Sequence, residues 1–342
     1  MSLPFNLEIN IMETYADLSQ HFSDALQSLY EEAEIRGIFR MYAEKKWHLP
    51  AHQLYLNINE NVDEKRQAET ANDLQRLKSG EPIQYVVGVT DFYDMELVVN
   101  PSVLIPRPET EELVDLIIRE NGNRRDLQVL DLGTGSGAIA ITLAKKLAHS
   151  HISATDFSPE ALQTAQANAR RHNVDITWLH DDMLHPNYSQ LGTYDIIVSN
   201  PPYIPQSEKS AMHTNVKDHE PGSALFVPDN EPLLFYKAIA DIGMHCLRNG
   251  GRIYLETHHL FHEALEQLFT TCGYQNARSL KDINGRNRFF SVEKNQNSKF
   301  KEQKIPHRYA CEMENKAETQ RAASEGGSAA LRLQNGVKDA NV

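Results

Sequence analysis

Cysteine is scarce in this 342-residue chain. Cys246, Cys272 and Cys311 are the three, 26 and 39 residues apart, with no CxxC pair. That spacing argues against a structural zinc ribbon and against a disulfide framework, and it fits a reducing, cytoplasmic setting. Long apolar runs are missing too: nothing approaches the roughly 20 residues of a membrane span. Residues 1–12 contain no Lys or Arg, so no signal peptide is expected. Positive charge is also short, with 34 basic against 47 acidic side chains and a net charge of −13. This argues against a protein that binds by neutralising a phosphate backbone. What remains is ordinary globular composition, 40% apolar and 24% charged, long enough for two domains with full cores.

Charge and periodicity divide the chain. Residues 1–90 carry 8 basic and 14 acidic side chains, 91–294 carry 18 and 27, and 295–342 carry 8 and 6. In the first part Leu18, Phe22, Leu26, Leu29 and Ala33 form one helical stripe, continued by Ile38, Phe39 and Tyr42. A second helix is expected over 63–79, with Ala71, Leu74 and Leu77 inward and Gly80 as its stop. Tyr85, Val86, Val87 and Val89 favour a strand, as do 96–99 and 103–105, with a turn at Asn100-Pro101. Thr110 is expected to cap the helix that follows. From Gln128 strands and helices alternate: strands at 129–132, 152–156, 176–179, 195–199, 252–256 and 289–292, helices at 138–147, 159–172, 233–247 and 259–271. This order predicts an α/β fold with a mostly parallel sheet covered on both faces. The last 48 residues lack periodicity and are expected to be disordered, apart from a short helix near 329–333.

The string Asp131-Leu132-Gly133-Thr134-Gly135-Ser136-Gly137-Ala138 lies where a buried strand meets a helix. Three alternating glycines there allow tight turns and close approach of a ligand to backbone amides, which marks a nucleotide site. The string also fits the dinucleotide fingerprint. Asp156 ends the next strand and can accept from ribose hydroxyls in either case. Asp131 discriminates: a carboxylate aimed into the loop repels a pyrophosphate but suits S-adenosylmethionine, which is cationic and carries no phosphate. Capping of the loop's own amides is an equal reading of Asp131. Asp182-Met183, after the third strand, is placed near the adenine.

The strand at 195–199 ends in Asn200-Pro201-Pro202-Tyr203. Prolines stiffen this corner and lack N–H donors, leaving acceptors exposed. The Asn200 side chain and the Pro201 carbonyl can together hold both hydrogens of a planar NH2, and the Tyr203 ring can stack on a flat substrate. A carboxamide or an exocyclic base amine is the expected target.

The two motifs resemble class I methyltransferases that act on planar amino groups. With Gly80-Glu81-Pro82-Ile83-Gln84-Tyr85, Leu104-Ile105-Pro106-Arg107-Pro108-Glu109-Thr110-Glu111, His219-Glu220-Pro221 through Ala224-Leu225, and Asp282-Ile283-Asn284-Gly285-Arg286-Asn287-Arg288, the chain is similar over about residues 13–294 to the peptide chain release factor N5-glutamine methyltransferases. The resemblance implies a Rossmann-like domain at 111–294, a helical substrate-binding domain at 1–82, a hairpin linker at 83–110 and an unrelated tail at 295–342. It implies S-adenosylmethionine as cofactor, contacted by Gly133, Thr134, Gly135, Ser136, Gly137, Asp156, Met183 and Asn200. It implies that Asn200, Pro201, Pro202 and Tyr203 bind the glutamine of a Gly-Gly-Gln tripeptide in class I release factors, with Asn200, Pro201 and Tyr203 catalytic. A cytoplasmic monomer is expected, with no metal, no membrane and no direct nucleic-acid binding. A nucleic-acid amino methyltransferase and a nicotinamide-dependent oxidoreductase stay open as alternatives. His258, His259 and His262 are read as a solvated helix face, and Arg107 either as a pocket residue or as a partner of Glu109 or Glu111.

Overall fold

The computed structural model describes residues 13–295. The expectations for residues 1–12 and for the tail, the helix at 329–333 included, lie outside the described residues. Two compact units are formed. The first runs up to Val89 and includes Val99–Pro101 and His213–His219; the second holds Thr90–Val98, Ser102–Met212 and the chain from Glu220.

The first unit begins with helices α1 (Tyr15–Leu26), α2 (Glu32–Trp47), α3 (Ala51–Leu56), α4 (Glu64–Lys78) and α5 (Ile83–Val87). Its core is aromatic: Phe22, Phe39, Tyr42 and Trp47 pack edge-on or tilted at centroid distances of 5.1–6.0 Å. The single stripe expected from Leu18 to Ala33 is broken, because α1 ends at Leu26 and Leu29 is exposed in the turn before α2. The second helix starts as expected at the Asp63 cap, whose carboxylate accepts from the Arg66 amide. Leu77 is buried, but Ala71 is exposed and the inward face is completed by Thr70 and Asp73. Asp73 can be buried because the Tyr42 hydroxyl donates to it at 2.9 Å and Lys46 pairs with it at 3.1 Å.

A hairpin follows, displaced from its expected place. Residues 83–87 are helical and stop at Gly88, whose φ is +81°. The strands are β1 (Val89–Phe92) and β2 (Met95–Val98). Between them Tyr93 and Asp94 both take positive φ, 48° and 60°, the signature of a two-residue primed turn. Tyrosine is unusual there, so the turn carries little sequence signal, and residues 103–105 form no strand.

The rest of the second unit comprises α6 (Pro108–Asn121), β3 (Gln128–Leu132), α7 (Ala138–Lys146), β4 (His151–Asp156), α8 (Pro159–Arg171), β5 (Thr177–His180), β6 (Tyr194–Ser199) and β7 (Ile204–Pro205). After α9 (Thr214–His219), which counts with the first unit, come α10 (Gly222–Leu225), β8 (Phe226–Val227), α11 (Leu234–Cys246), β9 (Leu247–Glu256), α12 (His262–Thr271), β10 (Tyr274–Lys281) and β11 (Asn287–Lys294). Seven strands order as β10-β11-β9-β6-β3-β4-β5. The five from β9 to β5 are parallel, while β11 runs antiparallel to both its neighbours. This is the mixed, mostly parallel Rossmann-like sheet expected. Only β10 was not anticipated: as an edge strand it is largely polar on its open side and shows no clean apolar alternation. β3 and β6 are adjacent, so the loops after Leu132 and Ser199 emerge side by side at the carboxyl edge of the sheet.

Candidate active site

A cavity of about 350 Å³ opens at that edge. Gly133, Thr134, Gly135, Ser136, Asp156, Met183, Asn200, Pro201 and Pro202 line it, so the structure brings together most of the residues expected to act. Gly137 and Tyr203 do not line it.

The glycine loop is held by backbone. The Gly133 and Thr134 amides both donate to the Thr155 carbonyl, at 3.0 and 2.9 Å. Asp156 closes the turn: its carboxylate accepts from the Gly135 amide at 2.8 Å and from the Ser158 amide at 3.0 Å. Burial raises the Asp156 pKa, and these amides hold it down in part. Gly137 sits at φ +84°, where a Cβ would stand 3.0 Å from Ile141 Cδ1 and 3.2 Å from Ala165 Cβ. Its missing side chain serves the approach of α7 to α8. Asn168, buried on α8, accepts from the Val98 amide and donates to the Val98 and Ser136 carbonyls, tying β2 to the loop.

Asp131 is fully buried behind the loop and does not line the cavity. It neither caps the loop amides nor faces a ligand. One oxygen accepts from the Thr134 hydroxyl at 2.7 Å; the other has no partner. Burial first, then the nearby Asp156 charge, pushes its pKa up to about 7.

The second loop is held by side chains from distant positions. Asn200 Nδ2 donates to Thr110 Oγ1 at 3.2 Å. Thr110 is not the expected cap: Arg107 is the N-cap of α6 with Pro108 in its first turn, and the Thr110 hydroxyl instead donates to Glu256 Oε2 at 2.7 Å. The Tyr203 hydroxyl donates to Glu256 Oε1 at 3.1 Å, so Tyr203 is engaged at its polar end within the wall instead of facing the cavity. Glu256 ends β9 and is 1% exposed. Burial raises its pKa, opposed by the Thr110 bond and the nearby Arg288. Arg107 lines the cavity and pairs with Glu220, not with Glu109 or Glu111; the other Glu220 oxygen accepts from the Ile105 amide at 3.1 Å. Sequence reasoning missed Glu256 and gave Glu220, quoted only within the His219-Glu220-Pro221 segment, no role. Glu256 had a usable signal, the same carboxylate-at-strand-end pattern that marked Asp156.

The histidines are not a solvated helix face. α12 starts only at His262, and His258 and His262 are buried. Burial lowers the His262 pKa to about 4. Among the described residues no His, Cys, Asp and Glu group is arranged to hold a metal, and no helix is long and apolar enough to cross a membrane.

The cavity suits a cationic ligand without phosphate. Asp156, Asp181 and Asp182 line it, and its one lining cation, Arg107, is already paired with Glu220. A pyrophosphate would meet carboxylates on this wall. These features fit S-adenosylmethionine and disfavour a dinucleotide. The parallel sheet, the glycine loop and the Asn-Pro-Pro-Tyr corner define a class I S-adenosylmethionine-dependent methyltransferase. Comparison with known proteins narrows the class. A model of the PrmC N-terminal domain matches residues 17–88, and a model of the methyltransferase small domain matches residues 110–219. The release factor glutamine methyltransferase of Bacteroides thetaiotaomicron is 38% identical, covering 81% of this chain and 99% of its own. Proteins of the same name from Flavobacterium psychrophilum and Streptococcus pneumoniae are 40% and 38% identical, covering 79% and 82% of this chain and 96% and 99% of theirs. The chain belongs to the release factor glutamine methyltransferase family.

Proposed function

We propose that this protein methylates the side-chain amide nitrogen of the glutamine in the Gly-Gly-Gln tripeptide of a class I peptide chain release factor, as a cytoplasmic monomer that does not bind nucleic acid directly. The observation that carries the reading is the Asn200 amide at the cavity edge, its nitrogen occupied by Thr110 and its oxygen left to accept. Gly133, Thr134, Gly135, Ser136, Asp156 and Met183 would hold the cofactor, with Gly137 acting through helix packing. Bound there, S-adenosylmethionine would supply an electrophilic methyl group on a cationic sulfur able to leave with the electron pair of the carbon–sulfur bond when the amide nitrogen takes the methyl.

An amide nitrogen is a poor nucleophile because its lone pair is delocalised into the carbonyl. Asn200 Oδ1 and the Pro201 carbonyl, accepting one N–H each, favour a pyramidal nitrogen and stabilise the positive charge that develops on it. Pro201 and Pro202 keep the two acceptors fixed, so little reorganisation is needed on reaching the transition state. One nitrogen-bound proton leaves after transfer, and no dedicated base is needed.

Labelled S-adenosylmethionine incubated with a release factor should label the factor, and a factor whose Gly-Gly-Gln glutamine is replaced should stay unlabelled. Equal labelling of both would overturn the substrate. Asn200→Ala should lower turnover about 10²–10³-fold, the scale of losing one aimed polar group, while cofactor affinity largely persists. Unchanged turnover at saturation would remove Asn200 from the chemistry.

A further inference from the structure

Asn200 can present either its oxygen or its NH2 to the cavity, and the two faces select opposite substrates. An oxygen accepts from a carboxamide NH2; an NH2 would repel that group and welcome a carboxylate. The choice is made behind the loop. A hydroxyl has one hydrogen. Thr110 gives its hydrogen to Glu256 Oε2 at 2.7 Å, so toward Asn200 it offers only lone pairs. Asn200 must then turn its NH2 to Thr110, at 3.2 Å, and its oxygen to the cavity. The Tyr203 hydroxyl donates to the other Glu256 oxygen, Oε1, at 3.1 Å, and together with the nearby Arg288 charge it favours the ionised form, in which both oxygens accept. The Tyr236 hydroxyl donates to the Glu256 carbonyl at 3.2 Å and fixes the backbone that carries it. Thr110 lines the cavity yet is only 4% exposed, and Glu256 behind it is 1% exposed, so the bond between them lies in a largely desolvated wall.

We propose that Thr110 and Glu256 form a positioning relay that sets the hydrogen-bond polarity of Asn200, and with it the preference of the pocket for a glutamine amide over a glutamate carboxylate. This rests on the function proposed above and adds Thr110, a residue of the cavity wall whose hydroxyl is engaged by Glu256, and Glu256 itself, which stands behind that wall. The relay acts by orientation alone. Replacing Thr110 with a group of the same volume that cannot hydrogen-bond therefore frees Asn200 to rotate, whereas a serine preserves the relay.

The test compares wild type, Thr110→Ser and Thr110→Val, with intact release factor as substrate and the same factor carrying Gly-Gly-Glu as competitive inhibitor. Thr110→Ser should keep kcat and discrimination within about 3-fold of wild type. Thr110→Val should lower kcat by about 10-fold or more and narrow the preference for the glutamine form over the glutamate form by about 10-fold, as expected when a buried polar site loses its fixed partner. Cofactor affinity should stay near wild type in all three. If Thr110→Val does not fold because one Glu256 oxygen loses its donor, the double variant Thr110→Val with Glu256→Gln removes the buried charge and should show the same two losses. Unchanged discrimination in a folded Thr110→Val or double variant overturns the relay, as does equal loss in Thr110→Ser and Thr110→Val. A wild-type enzyme that fails to label the release factor overturns the function itself. A wild type that labels it, with Asn200→Ala inactive and Thr110→Val normal, overturns the relay alone.

Discussion

Two loops meet at one edge of the sheet, and they are built in opposite ways. The loop after β3 is shaped by its own backbone: glycines with positive φ, two amides on the Thr155 carbonyl and a carboxylate from the neighbouring strand. The loop after β6 is stiff by composition but aimed by side chains at positions 110 and 256. A ligand that many enzymes share can be held by backbone, which tolerates sequence change around it. A particular substrate atom must be met by a particular side-chain atom, and that needs a buried wall to orient it. Substitutions in the first loop should therefore appear mainly as lost stability, and those in the second mainly as lost turnover.

The largest stability effect expected is at Gly137. Alanine there must take a left-handed backbone and press its Cβ against Ile141 and Ala165, at 3.0 and 3.2 Å. A cost of about 2–4 kcal/mol in denaturant unfolding follows from the backbone penalty and the overpacking together. Pro202→Ala, the matching change in the other loop, should cost less than about 1 kcal/mol, because it only loosens the unfolded chain. Equal costs would end the contrast.

Next is Asn168→Ala. It strips partners from the Val98 amide and from the Val98 and Ser136 carbonyls, and should cost about 2 kcal/mol. Hydrogen exchange should show the Val98 amide losing protection first. Undiminished protection would mean that the glycine loop stands without this clamp.

The smallest effect sharpens the electrostatics. Asp131 has its pKa raised to about 7 by burial, above an ordinary 3.8, so the folded chain retains a proton that the unfolded chain releases between those values. Stability contributed at this position therefore falls as pH rises from about 4 to 7. Asp131→Asn has no such slope. Its Tm relative to wild type, measured without cofactor, should climb by about 2 °C or more from pH 5 to pH 8. A flat difference would show that Asp131 titrates normally.

Much of this was legible in the residues. β3 and β6 are short, mostly apolar runs, the apolar stretch 253–255 marked the second half of β9 although the strand begins already at Leu247, and Ser158-Pro159 announced α8 correctly. The Asn-Pro-Pro-Tyr corner could be read because proline restricts backbone wherever it stands. The hairpin was misplaced because two β-branched-rich stretches, 85–89 and 103–105, have strand propensity that tertiary context overrode. The roles of Thr110 and Glu256 were hidden because a hydroxyl near a helix start looks like a cap, and a carboxylate 146 residues away offers no local cue.

Local chemistry alone determined the glycine turn, the rigid proline corner and the alternation of strands and helices that implies a mostly parallel sheet, since each rests on backbone restrictions or on periodic burial within a few residues. Only the folded chain decided that the Asn200 NH2 is bonded to Thr110, that Asp131 sits behind its loop, and that Arg107 is neutralised by Glu220. Those outcomes depend on which distant groups share one desolvated space, where a single hydrogen or charge must find a partner.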